Sequence, residues 1–280
     1  MSKSIACFEI LKELKENKKL VFALGKNDFK TKYAGQYLGI IWAFVQPVIT
    51  VFVYWFVFEK ALNQGVQSTK AGITAPYVLW LIAGLVPWFY FSELLSQGTS
   101  ALIDYNYLVK KVVFNISTLP AVKMISSLFV HLFFVAFTVF LYCLYGRFPD
   151  LYTLQLIYYS FAMTVFVMGL VYASSAIIVF FRDFGQLVSI GLQVGMWVTP
   201  IMWNLDGMIA GGNISTFWGI VLKLNPMYYI VAGYRDSLIS KVWFWENPLL
   251  TIYFWVITLV MFAVGTSVFK RLKVYFADVL

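Results

Sequence analysis

The chain has 280 residues, of which 61% are hydrophobic and only 12% charged, with a net charge of +8 and a mean hydropathy of +0.79. Soluble domains carry about a quarter charged residues, so this composition excludes an ordinary soluble enzyme and indicates a membrane protein. The lysines flank apolar runs, which is typical of membrane topology signals and argues against nucleic-acid binding. Cys7 and Cys143 lie in unlike settings, so we predict neither a disulfide nor a redox role.

The N-terminal region, residues 1–32, is rich in lysine, and because it lacks the apolar core of a signal peptide we expect no cleavage. The apolar residues Ile5, Phe8, Leu11 and Leu14 recur at helical spacing between lysines. This pattern predicts an amphipathic helix lying in the cytoplasmic membrane interface. We therefore divide the chain into an interface segment, 1–32, and a membrane domain, 33–280.

The membrane domain contains apolar runs of the size needed to cross a bilayer, roughly 20 residues for a core of about 30 Å. They predict an all-α polytopic membrane protein with six transmembrane helices. The predicted spans are 33–58, 71–95, 120–146, 151–181, 184–205 and 247–269. An even number of spans puts both termini on one side of the membrane. Most of the 21 lysines and arginines fall on that side, so the positive-inside rule places both termini in the cytoplasm.

The connection between the fifth and sixth spans is too apolar for an aqueous loop and too interrupted to cross the bilayer. Glycines at 207, 211 and 212, with Pro226, break it into two pieces of roughly 10 to 15 residues, a length that suits re-entrant or interfacial helices. We predict two short re-entrant gate helices within 206–240, on the outer face.

A set of short motifs occurs in a fixed order along nearly the whole chain. They are KYAGQYLGIIWAFVQP at 32–47, YWFVF at 54–58, LIAGLVPWFYFSE at 81–93, NYLVKKVVF at 106–114, FRDFGQL at 181–187, TPIMW at 199–203 and LNPMYYIVAGYRDSL at 224–238. Together these motifs resemble the transmembrane subunit of ABC-2 type polysaccharide exporters, the group that includes O-antigen, teichoic-acid and polyol-phosphate permeases. One departure is VVFNISTLP at 112–120, where members of the group often carry Phe-Pro after the lysines.

The resemblance implies a homodimer in a bacterial cytoplasmic membrane, joined by two copies of a cytoplasmic ABC ATPase subunit. It also implies a lipid-linked polysaccharide substrate, of the undecaprenyl-diphosphate type, that crosses this membrane. No G-x-x-x-x-G-K-[ST] motif occurs in the sequence, so we expect ATP and Mg²⁺ to be bound by the partner ATPase and no catalysis by this chain. We expect no cofactor and no metal ion on the chain itself.

Basic and hydrogen-bonding side chains at the cytoplasmic mouth of the first span predict a substrate entrance that binds a lipid headgroup. They are Lys30, Lys32, Tyr33 and Gln36. Ammonium groups hold a diphosphate through charge-assisted hydrogen bonds. The plainer interpretation is that the lysines bind anionic membrane lipids and set topology.

The loop between the second and third spans predicts the contact with the ATPase, because a short helix with aromatic anchors can dock into a groove. The resemblance also places a coupling helix here. The predicted contact residues are Asp104, Tyr105, Tyr107, Leu108, Lys110 and Lys111, with a second contact at Arg182 and Asp183. The alternatives are a basic loop that packs on nothing and, at the second contact, a helix-end ion pair.

Aromatic side chains predict a channel lining, since the C–H faces of sugars pack on aromatic rings. We assign this role to Trp42, Tyr54, Trp55, Trp88 and Tyr90. Interfacial belts and core packing are the plainer interpretations. The predicted outer gate residues are Asn225, Pro226, Tyr228, Tyr229 and Arg235. An arginine in this setting needs an anion, which Asp236 or a lipid headgroup would supply.

Glu93 and His131 fall inside predicted spans, where ionisable residues suggest function. We expect Glu93 to pair with an N-terminal lysine and His131 to be hydrogen-bonded between helices. Two rival functions remain open. One is an ABC-2 permease for a drug or small lipid, and the other is a membrane-embedded glycosyl- or acyltransferase. The latter would require converging acids or a His/Asp pair.

Overall fold

The computed structural model describes residues 6–63, 65–69, 72–109 and 115–279. Within them the chain forms helices α1 Ala6–Glu16, α2 Lys18–Lys32, α3 Trp42–Trp55, α4 Tyr77–Asp104, α5 Asn106–Val109, α6 Leu119–Leu144, α7 Gln155–Phe180, α8 Phe184–Val198, α9 Leu205–Ala210, α10 Thr216–Lys223, α11 Pro226–Arg235, α12 Pro248–Leu272 and α13 Phe276–Val279. Short π-helical segments continue α3 through Ala61 and α11 through Ser240.

A small antiparallel ribbon departs from the all-helical prediction. Strand β1, Gln67–Ser68, pairs with β2, Thr74–Ala75, in the connection between α3 and α4. Gly72 lies in its turn with a φ of 72°, a left-handed conformation that glycine adopts without steric cost.

Five helical stretches in the described residues are long and apolar enough to cross a membrane. They are Gly39–Ala61, Tyr77–Asp104, Ile116–Leu144, Leu151–Phe180 and Pro248–Tyr275. The helix predicted over 184–205 is shorter: α8 has 15 residues and ends at Val198. The physical reason is Pro200, which disfavours helical geometry at the residue before it, and Thr199 is accordingly extended.

The segment around α8 nevertheless reaches from one end of the bundle to the other. Its first residue follows the end of α7, where Phe180 packs against Phe276 near the C-terminus. At its far end, the Tyr77 hydroxyl at the start of α4 donates a hydrogen bond of 2.7 Å to the carbonyl of Met202.

The N-terminal segment is two helices, not one, because the chain breaks at Asn17. Ile10 of α1 is buried, whereas Phe8 and Leu11 are exposed. Two ion pairs fix α1 to the end of α12: Lys270 lies 2.5 Å from Glu9, and Lys273 lies 3.4 Å from Glu13. Helix α1 and the end of α12 therefore lie at the same end of the bundle, and α1 keeps an apolar face on its surface.

Helices α4 and α7 form the centre of the bundle, and α3 and α12 expose most of their surface. The tightest contact joins α7 to α12 at Gly169 and Gly265. A Cβ on Gly265 would lie 1.9 Å from the Gly169 carbonyl oxygen, so the two backbones touch. Small residues permit such close approach between membrane helices.

The connection between α8 and α12 contains three short helices where two were predicted. Asn204 caps α9 and Asn225 caps α11, each accepting a backbone N–H with its side-chain oxygen. Pro226 follows as the first residue of α11, a position that needs no N–H donor. Helix α11 is mostly buried, α10 is mostly exposed, and α9 lies between them in exposure.

Candidate substrate cleft and coupling region

A cleft of about 890 Å³ opens between the end of α2 and the helices α3, α4 and α8. Its lining combines neutral polar groups with aromatic rings. The polar groups come from Gln36, Gln46, Thr50, Ser92, Ser96 and Ser189, and the rings from Tyr33, Trp42 and Phe89. Hydroxyls and amides form hydrogen bonds with a polar chain, while the rings pack on its C–H groups. The cleft therefore suits a hydroxyl-rich ligand.

The polar face of the cleft has a local origin in α3. Gln46 is exposed there, and Pro47 cannot donate the helical hydrogen bond to the carbonyl of Ala43. The Thr50 hydroxyl turns back to the Gln46 carbonyl at 3.0 Å. Since lipid offers no hydrogen bonds, such a face requires water, protein or a polar ligand beside it.

Three of the four predicted entrance residues, Lys32, Tyr33 and Gln36, line this cleft. Lys30 is exposed outside the lining. Lys32 ends α2 and its Nζ lies 2.6 Å from Glu93 Oε1, which confirms the expectation that Glu93 pairs with an N-terminal lysine. Burial alone would lower the pKa of Lys32, but the charge and hydrogen bond of Glu93 outweigh it and raise that pKa.

The predicted lining aromatics fall into two groups. Trp42 lies in the cleft, and Tyr54 and Trp55 are half-buried at the other end of α3. Trp88 and Tyr90 are only 4% and 2% exposed, which argues against a lining role for both.

Tyr90 instead belongs to a polar contact between helices. Its ring stacks on His131 with 4.4 Å between centroids. The His131 Nε2 lies 3.0 Å from the Ser160 hydroxyl and 3.2 Å from the Tyr234 hydroxyl. This confirms the expected hydrogen bonding of His131 between helices.

A buried charged network joins α2, the end of α4 and the start of α6. Lys123 Nζ lies 2.9 Å from Asp28 Oδ1 and 3.0 Å from Asp104 Oδ2. The Tyr105 hydroxyl donates a 2.6 Å hydrogen bond to the same Asp28 oxygen. Burial alone would raise the pKa of Asp28, but the hydrogen bonds from Tyr105 and Lys123 and the Lys123 charge hold it below its usual value.

Sequence reasoning did not assign this network to a site. Asp28 is the only acidic residue of α2, and that lone carboxylate among lysines was the available signal. Its partner Lys123 is 95 positions away, so the pairing itself is a property of the folded bundle.

The predicted ATPase contact lies at the bend between the end of α4 and α5, residues 104–109, which we call the elbow. Tyr105 points inward to Asp28, whereas the Tyr107 side chain is 55% exposed and Leu108 is half-buried. Lys110 and Lys111 lie outside the described residues. Arg182 and Asp183 are exposed in the turn between α7 and α8. The elbow therefore presents Tyr107 outward and holds Tyr105 in the network.

The predicted outer gate residues are mostly part of the packed structure. Asn225 donates a 2.8 Å hydrogen bond to the Thr199 hydroxyl, which ties α11 to the end of α8. Tyr228 and Tyr229 are both 5% exposed. The Tyr229 ring stacks on Phe254 with 4.6 Å between centroids.

Arg235 finds its partners in backbone carbonyls and an aromatic ring. Its guanidinium donates to the carbonyls of Pro200 at 2.7 Å and Ile201 at 2.6 Å. It also lies 3.9 Å from the Trp80 ring centroid, a cation–π contact. The arginine thereby binds carbonyls just beyond the C-terminus of α8, where a positive charge is favourable.

Long apolar helices around an open polar cleft define a helical membrane protein of the transport class. The chain belongs to the ABC-2 type transporter family, whose family profile matches residues 19–239. Two relatives are similar over almost their whole length, and both are O-antigen export system permease proteins. The one from Klebsiella pneumoniae is 26% identical over 265 residues, covering 93% of this chain and 95% of the relative. The one from Myxococcus xanthus is 24% identical over 269 residues, covering 96% and 98%.

Proposed function

We propose that the chain is the membrane subunit of an exporter that moves a lipid-linked polysaccharide across the bacterial cytoplasmic membrane. The observation that carries the proposal is the cleft, which joins neutral hydrogen-bonding groups to aromatic rings along α3, α4 and α8. Sugars require this combination, whereas an apolar drug would leave the cleft's amides and hydroxyls without partners. Membership of the ABC-2 family and the naming of both relatives as O-antigen permeases support the same function.

The cleft is proposed to become a closed path when two copies of the subunit meet. Within the described residues α8 has no buried side chain, and its exposed surface includes Gln186 and Gln193. Exposed amides are costly in lipid, so this surface suits a second protein chain and water. A homodimer built on α3 and α8 would enclose the two clefts together.

The same proposal includes the orientation of the subunit in the membrane. We propose that the segment from α8 to Met202 is the fifth of six crossings, so that both termini lie in the cytoplasm as the positive charges require. Helices α9 and α10 would then form the outer gate. The exposed Phe217 and Trp218 of α10 support a position at the membrane surface, which favours aromatic side chains.

Energy for transport is proposed to come from two copies of a separate ATPase subunit, which would bind ATP and Mg²⁺. The elbow supports this assignment, since Tyr107 offers an exposed aromatic anchor and Tyr105 connects it to α2. A force applied to the elbow would reach α2 through Asp28 and then the cleft mouth at Lys32.

A depletion experiment tests the function. Loss of the chain in its bacterial host should leave completed lipid-linked polysaccharide on the cytoplasmic side, detected by its protection from an external glycosidase. Re-expression should restore surface polysaccharide only when the partner ATPase retains hydrolysis. A chain that restores export with an ATPase unable to hydrolyse ATP would contradict the proposal.

A further inference from the structure

We infer that the Glu93 carboxylate occupies the position beside Lys32 that a phosphate group of the substrate lipid takes when it binds. Substrate binding at the cleft mouth then replaces the carboxylate with the phosphate as the partner of Lys32. The inference rests on the proposed function, because it names the part of the substrate that binds in the same cleft. It assigns Glu93 the role of a specificity-determining residue.

The ion pair has the geometry of an exchangeable contact. The two charged atoms are 2.6 Å apart, and the side chains of Lys32 and Glu93 remain 31% and 22% exposed. By contrast, Lys123 and Asp28 are 10% and 9% exposed and therefore form a fixed structural pair. Since both Lys32 and Glu93 line the cleft, a ligand there meets the ammonium group directly.

The stability of the fold does not explain why an acidic residue stands at position 93. Glu93 is the only charged residue of α4 before its last residue, Asp104, and it lies in a stretch apolar enough to span a membrane. Placing a carboxylate there is costly. A lysine at the end of α2 could be neutralised by lipid headgroups at the surface, so packing alone does not require Glu93.

Each partner of the pair has a second contact that makes exchange possible. Gln97, one turn further along α4, donates a 3.2 Å hydrogen bond to the same Glu93 oxygen and would keep it satisfied after Lys32 leaves. Tyr33 and Gln36 line the cleft beside Lys32. An ammonium, a phenol and an amide together supply the donors that a phosphate requires.

A phosphate at this position has two possible sources, a polyprenyl diphosphate that carries the glycan or an ordinary bilayer phospholipid. The charge of Glu93 favours the first. A ligand must displace the Glu93 carboxylate from Lys32, and a diphosphate, with more acceptor oxygens and more negative charge than a singly charged phospholipid, competes better for the ammonium and its neighbouring donors.

The test uses the permease–ATPase complex in phosphatidylcholine nanodiscs, with radiolabelled farnesyl diphosphate as the probe. Glu93→Gln should tighten probe binding by roughly fivefold, which corresponds to about 1 kcal/mol. The gain should disappear in the double variant Lys32→Gln, Glu93→Gln, because no ammonium remains to be released. Glu16→Gln, which removes the same charge from the exposed face of α1, should leave the affinity unchanged.

A gain in affinity that persists without Lys32, or no gain in Glu93→Gln, would overturn the inference. Should Glu93→Gln fail to assemble, Glu93→Asp shortens the acid by one methylene and should tighten binding in the same direction. Displacement of the probe by phosphatidylglycerol added to the nanodiscs would overturn the assignment to the substrate lipid. A wild-type complex that binds no farnesyl diphosphate would instead count against the proposed function.

Discussion

Among individual residues, Asp28 and Lys123 form the buried ion pair at the end of the bundle that holds α2, the end of α4 and the start of α6. Both side chains are about 90% buried, and with Asp104 they join three elements that are far apart in sequence. A buried ion pair contributes little compared with well-packed apolar residues, but removing one partner leaves an uncompensated charge. The main effect of this ion pair is to fix the position of α2 against the elbow.

The first prediction separates these two effects. Lys123→Met should destabilise the subunit by about 3 kcal/mol, since Asp28 then lies buried without its cation. The double variant Asp28→Asn, Lys123→Met should recover most of that loss. Thermal unfolding in detergent measures both, with Lys12→Met, a change at an exposed pair, as the control. A double variant as unstable as Lys123→Met would show that the charge network is not the cause.

The second prediction concerns pH. The pKa of Asp28 is lowered in the fold from an ordinary value of 3.8, so the folded state binds this proton less readily than the unfolded state. Its stabilisation is therefore complete above about pH 5 and is lost as the pH falls through 4 and below. The Tm should drop less over this range in the Asp28→Asn, Lys123→Met double variant than in the wild type. Equal slopes would contradict the assignment.

Among the helices, sequence predicted well what depends on local composition. The five long helices were predicted because an apolar run of sufficient length is itself the signal. The burial of Trp88 and Tyr90 was not predicted, because the local sequence around an aromatic residue does not show whether its helix lies at the centre of the bundle or lines a cleft. Which helix lies at the centre is decided by packing, here by α4 and α7.

At the predicted site, too, residues that are neighbours in sequence were predicted, and residues brought together only by folding were not. Lys32, Tyr33 and Gln36 share one turn region before α3, so sequence proximity brought them into one prediction. Ser92 and Ser189 were missed as lining residues, because nothing in an apolar run shows that α4 and α8 face a common cleft.

The contact between α7 and α12 gives a prediction about packing. Gly265→Leu should lower the Tm by roughly 6 to 12 °C. Overpacking of a helix contact costs about 3 kcal/mol of unfolding free energy, and each kcal/mol lowers the Tm of a chain of this size by about 2–4 °C. The physical reason is the backbone of Gly169, which leaves no room for a side chain. Ala263→Leu adds bulk to the exposed face of the same helix and should be tolerated. Equal effects of the two substitutions would show that the close approach does not stabilise the fold.

At the scale of the whole complex, the elbow should transmit the action of the ATPase. Tyr107→Ala should reduce transport severalfold while the purified complex still hydrolyses ATP, because the exposed anchor is lost and the half-buried Tyr105 is kept. Transport and hydrolysis are measured in the same proteoliposomes. Tyr275→Ala, an exposed tyrosine at the same end of the bundle, is the matched control. Transport and hydrolysis that remain coupled in Tyr107→Ala would remove the elbow from the ATPase contact.

The central claim is that polysaccharide passes through the cleft lined by α3, α4 and α8, and photo-crosslinking in living cells tests it most directly. A benzophenone amino acid replaces Gln46, which lies in the cleft, or Ile157, which is 72% exposed on the outer surface of α7. We expect irradiation to attach polysaccharide to the chain labelled at position 46 and not to the one labelled at 157, and only in cells that synthesise the lipid-linked glycan. Equal labelling at both positions, or none at position 46 while export continues, would contradict the account.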